Sequence, residues 1–423
     1  MNTLWLRGNE VAGAMNSIRL ISRRALLRAG IVIAAGAAFE PILAAQAEAR
    51  RHGVSRKIAP PVSHDAHQAN PLTAPYAAAC AMEPTTGSVI FDHDMNRPWP
   101  TASLAKMMVM LIVAKKIADG SLKLTDKITT SAGATRMGGS QVYLKEGETF
   151  TLEEMMQAIV VHSANDATYA VAEYIAGSAD ACVQMMNQEA AALGLKNTHY
   201  YSVHGLPPAR GEQADVASAY DLTVIARRLV TYPDLMRWSA IDTTGFRNGT
   251  FQLRNTNHLV RTYPGCDGLK TGFYYQAGFN VVATARRNGL RIIAVVLGSP
   301  RKDENFGEAA TMMSQGFLNY EMREVARKGT PIAQTVAVKG GAISSFKPVW
   351  AADAAVFIKR GAQKDSFTIN YKLPTAIAAP VKAGQPVGAG EIIVQGKPQP
   401  AIAIVAPADV ARGSLLQRLI GDL

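Results

Sequence analysis

The amino-acid sequence predicts an α/β domain whose sheet unites its two chain ends, followed by a separate small all-β domain. Three observations carry this expectation. Strand-like runs stand near residue 80 and return after residue 278, with helical patterns between them. Past Gly329 the texture changes to short β-rich runs punctuated by Gly and Pro. The length of 423 residues suits two or three domains at roughly 100–200 residues each.

The first segment is not part of either domain. Residues 21–30 (ISRRALLRAG) are basic, residues 31–39 are apolar, and Ala45-Gln46-Ala47 offers a small-x-small cleavage pattern. Residues 1–47 therefore form an export signal cut after Ala47. Ser22-Arg23-Arg24-Ala25-Leu26-Leu27-Arg28 resembles the twin-arginine motif, and the apolar run falls short of the ~20 residues a bilayer span needs. Met15 is an alternative start, because the stretch before it is long for a signal. The expected location is the periplasm, with the outer face of the inner membrane as a peripheral option. Residues 48–75 are polar and broken by Pro60-Pro61 and Pro71, the texture of an exposed linker.

A hairpin is expected next, with strands over 77–82 and 88–92 around the turn Pro84-Thr85-Thr86-Gly87. A helix over 103–118 follows Pro100 and stops at Gly120. Its apolar residues, Leu104, Met107, Met108, Leu111, Ile112 and Ala114, occupy most of the surface, which predicts burial on more than one side. Helical patterns recur at 152–161, 167–175, 179–193 and 217–230, strands at 278–285 and 290–297, and a last helix at 306–321. These elements define an expected catalytic domain over 76–328. The all-β domain, 329–408, contains the runs 335–340, 355–361, 366–373, 391–396 and 401–406. In the tail, 409–423, the segment SLLQRLIGDL groups Leu415, Leu416, Leu419, Ile420 and Leu423 on one broad face. Such a face serves weak membrane-surface contact or, equally, packing on the β domain.

Composition narrows the partners. The chain carries 44 Lys and Arg against 33 Asp and Glu, a net +11. Removing residues 1–47 takes away five basic and two acidic residues and leaves +8. That excess suits an anionic wall polymer or lipid surface; the basic residues lack aromatic interleaving, which argues against nucleic acid. Three cysteines, Cys80, Cys182 and Cys266, are too few and too scattered for a disulfide scaffold or zinc ribbon, and an odd number leaves at least one thiol unpaired. No H-E-x-x-H spacing, P-loop or dinucleotide fingerprint is present, so neither a metal nor a cofactor is expected.

Three short motifs carry the chemistry: Ser103-Leu104-Ala105-Lys106, Ser163-Ala164-Asn165 and Lys270-Thr271-Gly272. Residues three apart share a helix face, so the Ser103 hydroxyl and the Lys106 amine can meet. Serine needs a base to become a nucleophile, and lysine serves as one only when burial or a second cation keeps it neutral. The apolar helix supplies burial and Lys270 a cation. Ser163 and Asn165, between two helical patterns, can relay a proton and bind a substrate amide, and they also fit a helix stop and cap. Lys270 and Thr271 can hold a carboxylate, while Gly272 lets a substrate backbone lie alongside the strand. His162 points away from Ser163, and His204 before Gly205 fits a turn or core position better than a ligand.

This set resembles the serine penicillin-recognising enzymes and, more narrowly, the low-molecular-mass D-alanyl-D-alanine carboxypeptidases. Supporting stretches are Asp267-Gly268-Leu269-Lys270-Thr271-Gly272, Gly194-Leu195-Lys196-Asn197-Thr198-His199, His204-Gly205-Leu206 and Ala277-Gly278-Phe279-Asn280. The resemblance spans about residues 75–325; the β domain matches the family's second domain in position and texture. It implies a penicillin-binding/β-lactamase-like transpeptidase fold, an antiparallel sheet with flanking helices and a helical subdomain. The implied reaction is removal of the terminal D-alanine from peptidoglycan stem pentapeptides through an acyl-enzyme on Ser103, with inhibition by β-lactams. Lys106 is the implied general base, Ser163 and Asn165 assist, and Lys270 and Thr271 bind the terminal carboxylate. The backbone N–H groups of Ser103 and Phe273 form the implied oxyanion hole, and Arg301 is the implied carboxylate arginine. Tyr274 departs from the threonine common in relatives. A D,D-endopeptidase would share all three motifs. A class A β-lactamase is disfavoured by the missing E-x-x-L-N and by the S-A-N motif, and the intact Ser103, Lys106 and Lys270 argue against a silent wall-binding protein.

Overall fold

The computed structural model describes residues 75–414 apart from 364–365 and 395. The expected export signal, all but the end of the linker, and the tail after Ser414 lie outside the described residues.

Five strands build the central sheet: β1 (Ala78–Glu83), β2 (Ser88–His93), β3 (Cys266–Tyr274), β4 (Gly278–Arg287) and β5 (Leu290–Ser299). They lie in the order β2-β1-β5-β4-β3, every neighbouring pair antiparallel. Ala79 faces Val296 and Cys80 faces Val295 across the seam where the two ends of the domain meet. Alternate residues point to opposite faces of a strand, and here both faces are apolar. Ala78, Cys80, Val282, Ile293 and Val295 enter one core, while Ala79, Ala81, Val281, Ala283, Ile292 and Ala294 enter the other.

Helices cover both faces: α1 (Lys106–Ala118), α2 (Leu152–His162), α3 (Asn165–Ala176), α4 (Ala179–Ala192), α5 (Ala219–Leu229), α6 (Pro233–Ser239) and α7 (Glu304–Asn319). Helix α7 lays Ala309, Met312 and Met313 on one face of the sheet. Helices α1 to α6 contribute to the core on the other. Every residue of α1 from Lys106 to Ala114 is buried, as its all-round apolar pattern requires. Helix α2 begins with a capping box between Thr151 and Glu154 and ends at Ser163, whose φ of 63° is left-handed. Helix α3 starts only two residues later, so the Ser163-Ala164-Asn165 motif occupies a tight helix break.

Several elements differ from expectation. The last helix ends at Asn319, and Tyr320 opens strand β6 (Tyr320–Ala326). Pairing with a later strand and stacking of Tyr320 on Phe357 at 4.9 Å override the helical pattern there. Val216–Ala217 forms a short strand against Trp99–Pro100, and α5 starts after it, with the Ser218 hydroxyl accepting from Asp221 N at 3.1 Å. The sequence pattern predicts neither helix α6 nor the hairpin Thr243–Phe246/Phe251–Arg254, although Asn248-Gly249 is a turn signal at the hairpin tip.

The all-β region continues with β7 (Val336–Lys339), β8 (Ser345–Phe346), β9 (Val349–Trp350), β10 (Ala354–Lys359), β11 (Phe367–Lys372), β12 (Ala376–Ala378), β13 (Pro386–Val394) and β14 (Ile402–Val405). The five β runs expected from sequence correspond to β7, β10, β11, β13 and β14. Strands pair as β6-β10, β8-β7-β12 and β9-β14-β13-β11. Their core contains Ile332, Val338, Phe346, Trp350, Val381 and Ile404. Among the described residues, no helix is long and apolar enough to cross a membrane.

Candidate active site

Ser103 sits in a single 3₁₀ turn, Ala102–Ala105, that runs directly into α1. One turn later, Lys106 Nζ lies 2.9 Å from Ser103 Oγ and donates a 2.7 Å hydrogen bond to the His204 carbonyl. Lys106 has no solvent exposure. The turn is gripped from several sides. Asn280 Nδ2 donates to the carbonyls of Pro100 (3.0 Å) and Thr101 (3.2 Å), and Thr101 N donates to Asp215 O at 2.9 Å. A Cβ on Gly272 would stand 2.6 Å from Thr101 O and 3.0 Å from Ser103 N. A Cβ on Gly205 would overlap Ala102 O. Strand β3 and the 202–206 turn thus press backbone against backbone on the serine, an approach that glycine alone permits.

The three motifs converge. Lys270 is buried on the edge strand β3, and its Nζ donates to Ser163 Oγ at 2.7 Å and to Thr271 O at 2.9 Å. Thr271 Oγ1 donates to Thr256 Oγ1 at 2.7 Å. Ser103, Ser163, Thr271, Gly272 and Phe273 line one pocket of about 260 Å³. Asn165 is buried behind this lining, with Nδ2 on Gly138 O at 2.6 Å and Oδ1 buried without a partner. Phe273 pairs in register with Phe279 on β4, and their rings stack at 4.2 Å at the rim.

One expected residue is misplaced. Arg301 lies outside the pocket lining; its side chain is 77% exposed and pairs with Glu304. Asp303, with a left-handed φ of 69°, turns the chain sharply into α7 and leaves Lys302 and Asp303 itself on the pocket wall. Ser140, Thr256, His258, Phe279, Asn280, Asn305 and Phe306 complete the lining, and none carries a role in the three catalytic motifs. The quoted Ala277–Asn280 match was the one available signal for Phe279 and Asn280.

Electrostatics favour a neutral base. Burial, then the nearby Lys270 charge, hold the Lys106 amine well below the ordinary lysine range, against the opposing pull of Asp215 and Asp166. Burial lowers Lys270 from 10.5 to about 7. An unprotonated amine within hydrogen-bond reach of a serine hydroxyl can take its proton as the oxygen attacks an acyl carbon. The three cysteines are free and buried; burial raises the Cys80 and Cys182 thiols to about 12 and Cys266 to about 11, which keeps them unreactive.

Comparison with known proteins shows the family. A family model described as D-alanyl-D-alanine carboxypeptidase matches residues 65–301, and one described as the C-terminal domain of penicillin-binding protein 5 matches residues 320–412. The D-alanyl-D-alanine carboxypeptidase DacF of Bacillus subtilis is 32% identical over 351 residues, covering 82% of this chain and 89% of that protein. Penicillin binding protein 5 from Haemophilus influenzae has a similar structure, with a TM-score of 0.63 and 26% identity over 80% of this chain and 98% of its own. Penicillin-binding protein D2 from Listeria monocytogenes, solved in an ampicillin-bound form, matches with a TM-score of 0.53 and 27% identity, over 58% of this chain and 99% of its own. The chain belongs to the serine D-alanyl-D-alanine carboxypeptidases of the low-molecular-mass penicillin-binding protein family.

Proposed function

We propose that this protein trims the terminal D-alanine from peptidoglycan stem pentapeptides through an acyl-enzyme on Ser103. The observation that carries the proposal is the 2.9 Å contact between Ser103 Oγ and a fully buried Lys106 amine. Lys106 takes the Ser103 proton as Oγ attacks the carbonyl between the two D-alanines. The backbone N–H groups of Ser103 and Phe273 receive the developing oxyanion. Collapse breaks the peptide bond, and D-alanine leaves as its nitrogen gains the proton that Lys106 took from Ser103, relayed through Ser163, which returns Lys106 to its neutral form. Water, deprotonated by the same base, then hydrolyses the ester and restores Ser103. Asn165 is anchored through Nδ2 on Gly138 O, which leaves its buried Oδ1 without a partner and available to accept from a substrate amide.

The terminal carboxylate meets Thr271 and Lys270 on one side. Thr271 Oγ1 donates its hydrogen bond to Thr256 Oγ1, so the O–H left to donate to the carboxylate is that of Thr256, held in place by Thr271. Lys302, not Arg301, supplies the further cation on the pocket wall. β-Lactams, whose shape mimics D-Ala-D-Ala, acylate the same serine. Export through residues 1–47 would deliver the enzyme to its polymer in the periplasm.

The test is labelled penicillin together with D-alanine release. Wild-type protein should be labelled and Ser103→Ala protein should not; equal labelling of the two ends the proposal. D-Alanine should be released from a pentapeptide; release from a cross-linked dimer alone would make the enzyme an endopeptidase instead.

A further inference from the structure

Against the nucleophile turn, and outside the lining of the substrate pocket, lies a compact polar cluster that the reaction as described does not use. Asp215 is buried, yet its carboxylate is fully engaged. Oδ1 accepts from Tyr201 N at 2.6 Å and from Ser202 N at 2.8 Å, and Oδ2 accepts from Ser202 Oγ at 2.6 Å. Ser202 Oγ in turn accepts from Gly205 N at 2.9 Å, which closes the 202–205 turn. His204 Nδ1 accepts from Leu206 N at 3.1 Å, so this ring is neutral with its proton on Nε2, as burial and the Lys106 charge also favour by lowering its pKa to about 4. The product of these bonds is one carbonyl in one place: His204 O, 2.7 Å from Lys106 Nζ. The main chain of residue 215 is tied to the same machinery, its carbonyl accepting from Thr101 N (2.9 Å) and Thr101 Oγ1 (3.2 Å).

A neutral amine has two N–H bonds and one lone pair. If one N–H is committed to His204 O, the lone pair can be held toward Ser103 Oγ; without that commitment the amine rotates freely about its Cε–Nζ bond. We infer that Asp215 is a positioning residue for the acylation base: through Ser202 it fixes the turn whose His204 carbonyl aims Lys106 at Ser103. This rests on the acyl-enzyme reading above. Asp215 therefore acts in two separable ways, one geometric through Ser202 and one electrostatic through its charge. The groups facing Lys106 are Lys270 on β3, Asp166 on α3, and Asp215 and His204 from the 201–215 loop. Those facing Asp215, besides Ser202 and Lys106, are Tyr200 and Tyr274.

The two actions give different signatures in the rate at which labelled penicillin acylates the full chain, measured from about pH 5 to about pH 9. The rate rises as Lys106 loses its proton, so the ascending limb reports that amine. Asp215→Asn is isosteric: its Oδ1 keeps both backbone donors, and its Nδ2 can donate to Ser202 Oγ. Loss of the negative charge destabilises the ammonium form of Lys106, so the limb should move to lower pH by about half a unit to one unit, with the plateau within about threefold. A limb that stays in place overturns the electrostatic action and, with it, the inference. Ser202→Ala keeps the charge but frees the turn, so the plateau should fall about tenfold with the limb unmoved. Ser202→Thr, which retains the hydroxyl, should recover most of that loss. A wild-type plateau in Ser202→Ala overturns the inference even where Asp215→Asn does not fold. Wild-type protein that is not labelled at Ser103 would instead strike the acyl-enzyme reading itself.

Discussion

The catalytic region and the β region bury their side chains by opposite rules. Among the described residues, every buried polar or charged side chain lies between Glu83 and Asn305, including Lys106, Lys270, Asp166 and Asp215; the β region after residue 320 has none. Its interior is apolar, with Trp350, Phe346, Ile404 and Val381 at the centre. Burying an ammonium is costly unless it is partnered or neutralised. The catalytic region carries that cost because a lysine stripped of water is a base, while the core of the β region is built from apolar side chains.

The sharpest way to break this comparison is Lys106→Met, which replaces the buried amine by an apolar chain of similar length. Penicillin acylation should fall by about 10³-fold or more, while Tm holds or rises. A Tm fall as large as that of a core truncation would mean Lys106 is a structural residue. The converse variant is Trp350→Ala, expected to lower stability by about 3 kcal/mol in denaturant unfolding. Acylation per folded molecule should stay within about twofold; a larger loss would couple the β region to the site.

A smaller effect concerns pH. Lys270 has a folded-state pKa of about 7, below the 10.5 of an unfolded lysine. Between those values the unfolded chain holds the proton and the folded chain does not, so this residue adds stability as pH rises. From about pH 7 to about pH 9, the Tm of wild-type protein should climb relative to that of Lys270→Met. A constant difference would place the Lys270 titration outside this window. Smallest is the contrast on the pocket wall. Lys302→Ala should raise KM for a pentapeptide by about threefold to tenfold, with Arg301→Ala within about twofold of wild type. The reverse ranking would restore Arg301 as the carboxylate partner.

What the sequence disclosed, and what it hid, follows from the range of the interactions. Ser103 and Lys106 are legible because a helix fixes the geometry of residues three apart. Lys270, Thr271 and Gly272 share one strand and are legible together. Asp215 and Ser202 are 13 residues apart across an irregular loop, and no local period reveals their contact. Arg301 and Lys302 are neighbours whose roles are separated only by the left-handed turn at Asp303, a backbone choice that composition does not specify. Tyr320 continues a helical pattern, yet an aromatic stack and a distant strand draw it into the sheet.

The two glycines pressed against the nucleophile turn also bear on how this site can change under selection. Where an inhibitor and the natural substrate use one serine, escape requires altering the site without unseating Ser103. At Gly205 any side chain collides with Ala102 O, and at Gly272 with Thr101 O, so escape through either position also costs the enzyme its own reaction. Phe273, 54% exposed and resting on Phe279 at the rim, has room to vary. Variation that spares wall trimming should therefore gather at the rim of the pocket and leave its floor unchanged.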